Sequence, residues 1–242
     1  MSRTLSQFLR DDYINFRDQL VSIWAVDGQQ LKRLEDELKP IHKRYLALAC
    51  IATIVGYRAK RSEYLEGVVE ASYLCLVLSV KGLENPACVL LRQSIELVLK
   101  HIYFSSHPVE YEWACTREDY RDLTFQKLIE YLGRTKECQN FKGDICVKLN
   151  EWFGVLSRHV HVHSGSFMGY STIGSTYQPK REIIKKLSER TKEIWPLLTA
   201  ILIVHFTRRY FKTNIIEQQL IKSTLPRKLR NQVDKYLSEV SI

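Results

Sequence analysis

Two apolar stretches separated by a short turn constrain this chain more than any other feature. Tyr64 to Val80 reads YLEGVVEASYLCLVLSV, and Ala87 to Phe104 reads ACVLLRQSIELVLKHIYF, stopping before Pro108. Between them, Gly82-Leu83-Glu84-Asn85-Pro86 stops one helix and starts another, with Pro86 suited to a first helical turn. So short a connection cannot carry the chain far. The two segments are therefore expected to pack back on one another as an antiparallel helical hairpin and to form the core.

The remainder asks for helices too. With 10 Gly and 6 Pro in 242 residues, the chain lacks the tight-turn residues that an all-β protein of this length needs. Leu5 to Trp24 carries an apolar stripe at helical spacing, and Asp27-Gly28 ends it. A longer helix is predicted from Gln29 to about Tyr57, kinked or split at Pro40. Ser62 is the expected cap of the first hairpin helix, and Thr124 that of a short helix, FQKLIEYLGR, closing near Gly133. The stretch His107 to Arg121 reads as irregular, and Phe141 to about Ser164 as a helix. A loop rich in glycine and hydroxyls follows; Pro179 then opens a long helix through Trp195-Pro196 to Lys212, with a kink at Pro196. Ser223 or Thr224, ahead of Pro226, opens a basic terminal helix, PRKLRNQVDKYLSEV. The expected fold is one all-α domain over 1–242, a helical bundle on the long hairpin. Its core spans about 29–212, and 213–242 is a basic helical extension.

A composition of 45% hydrophobic and 26% charged residues is that of a chain folding by burial. Its six cysteines form no CxxC pair and mostly lie in apolar helical patterns, so reduced thiols in a cytoplasmic protein are expected. The opening MSRTLSQFLRDDYINF has charge in every turn, unlike a secretory signal, and the longest apolar runs fall short of a membrane span. No membrane association is expected. The formal net charge is +9, of which +8 lies between Lys180 and the end, where 14 Lys or Arg face 6 Asp or Glu. Such an excess attracts phosphates or another anionic partner, or else simply solvates helix surfaces.

Chemistry concentrates in LSRHVHVHSG, residues 156–165, where Arg158, His159, His161 and His163 meet at a predicted helix end. Cleaving RNA without a metal requires a base for the ribose 2′-hydroxyl, an acid for the leaving oxygen and a cation on the phosphate. Imidazole suits the first two, with its near-neutral pKa, and guanidinium the third. Arg158 to His163 resembles the motif of the HEPN superfamily of helical-bundle ribonucleases: Arg, four to six residues, then His, often with a polar residue after the Arg, here His159. LLRQSIEL, with Arg92 and Glu96 one turn apart on the second hairpin helix, is similar to a segment of uncharacterised bacterial HEPN-like families. In those families the histidine sits in a context like LSxxVH, which would make His161 its equivalent.

The resemblance implies a homodimer in which two motif copies line one cleft for RNA. Arg158 would steady the scissile phosphate, and His163 or His161 would move protons, giving 2′,3′-cyclic phosphate and 5′-hydroxyl ends. Arg92 and Glu96 would support the site, or form only an intrahelical ion pair. Lys180, Arg181, Lys185, Arg227, Lys228 and Arg230 are the candidate RNA-binding cations. The resemblance further implies a toxin or antiphage-defence effector acting on tRNA or other RNA, with an antitoxin or defence-system partner. No cofactor and no metal are expected: phosphate-cradling, dinucleotide and serine-nucleophile motifs are absent from the sequence. Two readings compete. One is a metal bound by His159, His161 and His163, for which no Asp, Glu or Cys partner stands nearby in sequence. The other is a non-catalytic HEPN-like module that binds nucleic acid, nucleotide or protein.

Overall fold

In a computed structural model of the chain the described residues are 4–57, 59, 61–117, 123–139, 141, 144–159 and 179–240, and among them there are helices and no strand. The first, α1 (Leu5–Ser22), starts at a capping box: the Thr4 hydroxyl accepts the Gln7 N–H while the Gln7 side chain accepts that of Thr4. It buries Tyr13, Phe16 and Leu20. Asp27 caps α2 (Gly28–Arg33), and α3 (Glu35–Gly56) opens with Glu35, Asp36 and Glu37, whose charges suit a helix N-terminus. The break expected at Pro40 falls instead at Leu34, the residue with non-helical φ and ψ; Pro40 sits early in α3, where it forgoes one backbone bond without ending the helix.

The hairpin is α4 (Ser62–Val80) and α5 (Glu84–Ser106). Gly82, at φ 79°, lets the Leu83 N–H reach the Leu78 carbonyl (2.8 Å) and its own N–H that of Ser79 (3.0 Å), the pattern of a Schellman cap. Gly67 permits close packing, since a Cβ there would stand 3.0 Å from Leu97 of the facing helix. At the open end, the Tyr64 ring stacks on Phe104 with centroids 5.6 Å apart, so α4 begins where α5 finishes. The expected cap Ser62 is the first helical residue and makes no capping bond. Arg61, left-handed at φ 116°, leads into α4 and directs its guanidinium to the Phe104 carbonyl.

Beyond the hairpin, the stretch expected to be irregular contains α6 (Pro108–Thr116), because Pro108 stands at its first turn, where a missing N–H costs nothing. Thr124 caps α7 (Phe125–Arg134) as expected, and α8 (Lys136–Gln139) follows. Next comes α9 (Asp144–Ser157), which is shorter than predicted: Arg158 and His159 form a turn at its end. The long α10 (Arg181–His205) passes through Pro196 but stops before Phe206, which leaves helical geometry and detaches α11 (Thr207–Tyr210) from the expected run to Lys212. A helix the sequence pattern did not suggest, α12 (Ile215–Thr224), is set by an Asn214–Glu217 capping box. Ser223 and Thr224 donate to the Leu220 and Ile221 carbonyls and so close α12 rather than open α13 (Arg227–Val240).

One cluster of buried residues draws on every described helix except α6. Ile194 to Val204 of α10 is buried on every side, packed among α3, α4, α5 and α13. Tyr13, Phe16 and Leu20 of α1 join the same cluster, as do Ile221, Val233 and Leu237 from the basic C-terminal region. No described helix is long and apolar enough to cross a membrane.

Candidate active site

Three helix segments converge at the closed end of the hairpin. The first two turns of α5 supply Glu84, Asn85 and Cys88; α10 supplies Lys186 and Arg190, one turn apart; the turn after α9 supplies Arg158 and His159. Both Glu84 oxygens are engaged, one by the Arg190 guanidinium at 2.9 Å and the other by the Lys186 ammonium at 3.0 Å. The second Arg190 nitrogen donates to Cys88 Sγ at 2.9 Å. Burial opposes ionisation of Glu84, yet the bonds and charges of Lys186 and Arg190 outweigh it and hold the carboxyl below the ordinary range.

His159 closes α9 through its N–H to the Leu156 carbonyl, and its half-buried ring places Nδ1 2.8 Å from Asn85 Oδ1. Facing an amide oxygen, Nδ1 holds the proton, which leaves Nε2 with a free lone pair. Burial pushes the imidazole below its ordinary value; Arg190 pushes the same way, Glu84 opposes, and Lys186 adds to the lowering. The ring is thus neutral at pH 7, as a proton acceptor must be.

A carboxylate and a thiol that are distant in sequence do stand beside His159 in the fold. Donor atoms of Glu84, Cys88 and His159 lie within 4.8 Å of one another, an O, S, N set of the kind zinc accepts. Both Glu84 oxygens and the thiol are, however, already taken by Lys186 and Arg190. The Cys88 thiol is pushed up to about 11 by burial, against the Arg190 charge, whereas a metal needs the thiolate. As arranged, the cluster is an ion-pair network.

Of the motif residues, Arg158 is exposed beside His159, while His161 and His163 lie outside the described residues. Arg92 and Glu96 form the expected ion pair at 3.0 Å, and the guanidinium also lies 4.3 Å from the centroid of Phe153, itself stacked on Phe125 at 3.5 Å. Glu84, Cys88, Arg92 and Glu96 succeed one another in steps of four, so this pair occupies the same stripe of α5 two turns beyond the cluster.

The six candidate RNA-binding cations fall into two groups. Lys180, Arg181 and Lys185 are exposed at the start of α10, with Arg181 paired to Glu37 of α3 at 2.7 Å. Arg227, Lys228 and Arg230 belong to the start of α13, where Lys228 meets Asp144 at 3.1 Å and Arg230 donates to the Leu225 carbonyl at 3.1 Å. Sequence reasoning missed Glu84, Asn85, Cys88, Lys186 and Arg190. The available signal was a pair of four-residue spacings, Glu84 to Cys88 in phase with Arg92 to Glu96, and Lys186 to Arg190. No protein-family model, curated protein or solved structure matches the chain.

Proposed function

We propose that the chain is a metal-independent endoribonuclease of HEPN type, active as a homodimer and cleaving tRNA or other RNA. The observation that carries the reading is a neutral imidazole, His159, oriented by Asn85 with Nε2 free, next to exposed Arg158 and near Lys186 and Arg190. In this reaction a base removes the 2′-hydroxyl proton and O2′ attacks phosphorus. The P–O5′ bond then breaks as an acid protonates the leaving oxygen, which yields a 2′,3′-cyclic phosphate and a 5′-hydroxyl. Arg158 holds the phosphate charge as it builds, and His163 or His161 carries the principal proton transfer. His159 is the polar neighbour that fixes the turn and is able to accept a proton in its own right. Biologically the reading fits a toxin or defence effector restrained by a partner.

Total tRNA incubated in EDTA tests it. Cleavage should persist in chelator, leave cyclic phosphate ends, and fall by about a hundredfold or more in Arg158→Ala and in His163→Ala or His161→Ala, with folding unchanged. Loss of cleavage on chelation overturns the metal-free mechanism. A second reading, a non-catalytic binder, draws support from the way Glu84 already neutralises Lys186 and Arg190. Tight RNA binding without cleavage by the dimer would select it.

A further inference from the structure

A groove of about 560 Å³ lies outside the His159 cluster, between α3 and α4. Tyr45, Thr53 and Gly56 line it from α3; Glu66, Val69, Glu70 and Tyr73 form one continuous stripe along its α4 wall. The volume suits a small molecule.

Charge narrows the class of occupant. On a chain of net charge +9, Glu66 and Glu70 stand exposed one turn apart on one wall, and among the described residues neither has an ion-pair partner. Like charges at this spacing repel, a cost that a bridging cation would turn into attraction. The aromatic walls favour the same ligand. Tyr45 and Tyr73 rings stand 6.1 Å apart, and burial pushes the Tyr45 phenol up to about 12, so its electron-rich ring stays uncharged. Tyr73 is held in place, its hydroxyl accepting from Trp24 Nε1 at 3.3 Å and donating to Gln19 at 3.2 Å. At the Tyr57 end, the Arg209 guanidinium bonds the Tyr57 carbonyl at 2.9 Å, so positive charge marks where a cationic ligand must stop.

We propose that this groove binds a short aliphatic polyamine, its ammonium groups on Glu66 and Glu70 and its methylenes against Tyr45, Val69 and Tyr73. Two carboxylates at successive turns match two ammonium groups separated by about one helical pitch, roughly 5–6 Å. The site is independent of the nuclease reading, since no residue of the His159 cluster lines it.

Calorimetric titration of the full chain with putrescine at low salt provides the test. Saturable one-to-one binding is expected, about tenfold or more weaker in the Glu66→Gln, Glu70→Gln double variant and in Val69→Trp, which fills the groove. Glu189→Gln, on an exposed part of α10, should bind as the parent does. Both glutamates are exposed, so the double variant keeps the test decisive should Val69→Trp fail to fold. Unchanged affinity in the double variant, or equal binding of uncharged 1,4-butanediol, overturns the proposal. So does sedimentation showing that the double variant turns a dimer into a monomer, for the groove would then hold a second copy of the chain.

Discussion

Along one stripe of α5 two carboxylates meet guanidinium groups in different ways. Glu96 pairs with Arg92 of its own helix, about a quarter of each side chain remaining exposed, with the guanidinium over the Phe153 ring. Glu84 instead reaches across to Arg190 and Lys186 of α10, more than a hundred residues away, and the Arg190 side chain is only 16% exposed. The local pair adds a little to a helix that packing would form anyway. The long-range pair ties α10 to the start of α5 beside the turn that bears His159. Stability and site geometry are separable in the first case and joined in the second.

Glu84→Ala gives the sharpest test of that contrast. It strands the Arg190 guanidinium against Cys88 without a carboxylate, and should lower unfolding stability by about 2–3 kcal/mol in a denaturant melt. A loss no greater than that of Arg92→Ala, about 1 kcal/mol, would remove the contrast between the two clusters. Arg92→Ala should cost about 1 kcal/mol, from the ion pair and the ring contact together, and Arg92→Lys should recover less than half because a compact, strongly hydrated ammonium makes a weaker contact with Phe153.

A smaller effect appears in the pH dependence. His159 has a lowered pKa in the folded chain, so as pH falls below about 6.5 the unfolded chain takes up its proton first and stability declines until the folded value is passed. Above that window the contribution is constant. Buried His101 and His205 are lowered in the same way, so melts of His159→Gln should show a shallower slope than the parent rather than none. The Glu84 contribution has a different window: its carboxyl is held low, so its stabilisation is present above about 4.3 and is lost as pH falls through the folded value. If His159→Gln leaves the slope near pH 6 intact, the imidazole is not held neutral by its surroundings.

The hairpin, the cap at Thr124 and the Arg92–Glu96 pair were legible in the sequence because each is encoded within a few residues: an apolar period, a hydroxyl before a helix, a spacing of four. The short breaks were harder to read. Leu34 and Phe206 carry no glycine or proline to announce them, and the prolines at 40 and 196 sit inside helices that tertiary packing keeps whole. Asn214 and Glu217 did spell a capping box, but in a region read as a single basic extension. The surroundings of His159 could not be read at all, because Asn85 and Arg190 reach it only after α5, α9 and α10 have packed. What the sequence supplied there was the residue types, and what the fold supplied was the company they keep.

One consequence of the Arg61 geometry concerns how the molecule comes apart. The left-handed backbone at this residue would suit glycine, yet only a long cationic side chain can span to the Phe104 carbonyl and cover the Tyr111 ring at 4.7 Å. Local conformation and long-range fastening thus make opposite demands on one position, and the chain keeps the fastening. With the Tyr64, Phe104 and Tyr111 rings in mutual contact and the Tyr111 hydroxyl on Glu63, it joins the first turn of α4, the last turn of α5 and the Tyr111 face of α6. Fraying at that end of the molecule is thereby a concerted event rather than the independent loosening of three helix ends.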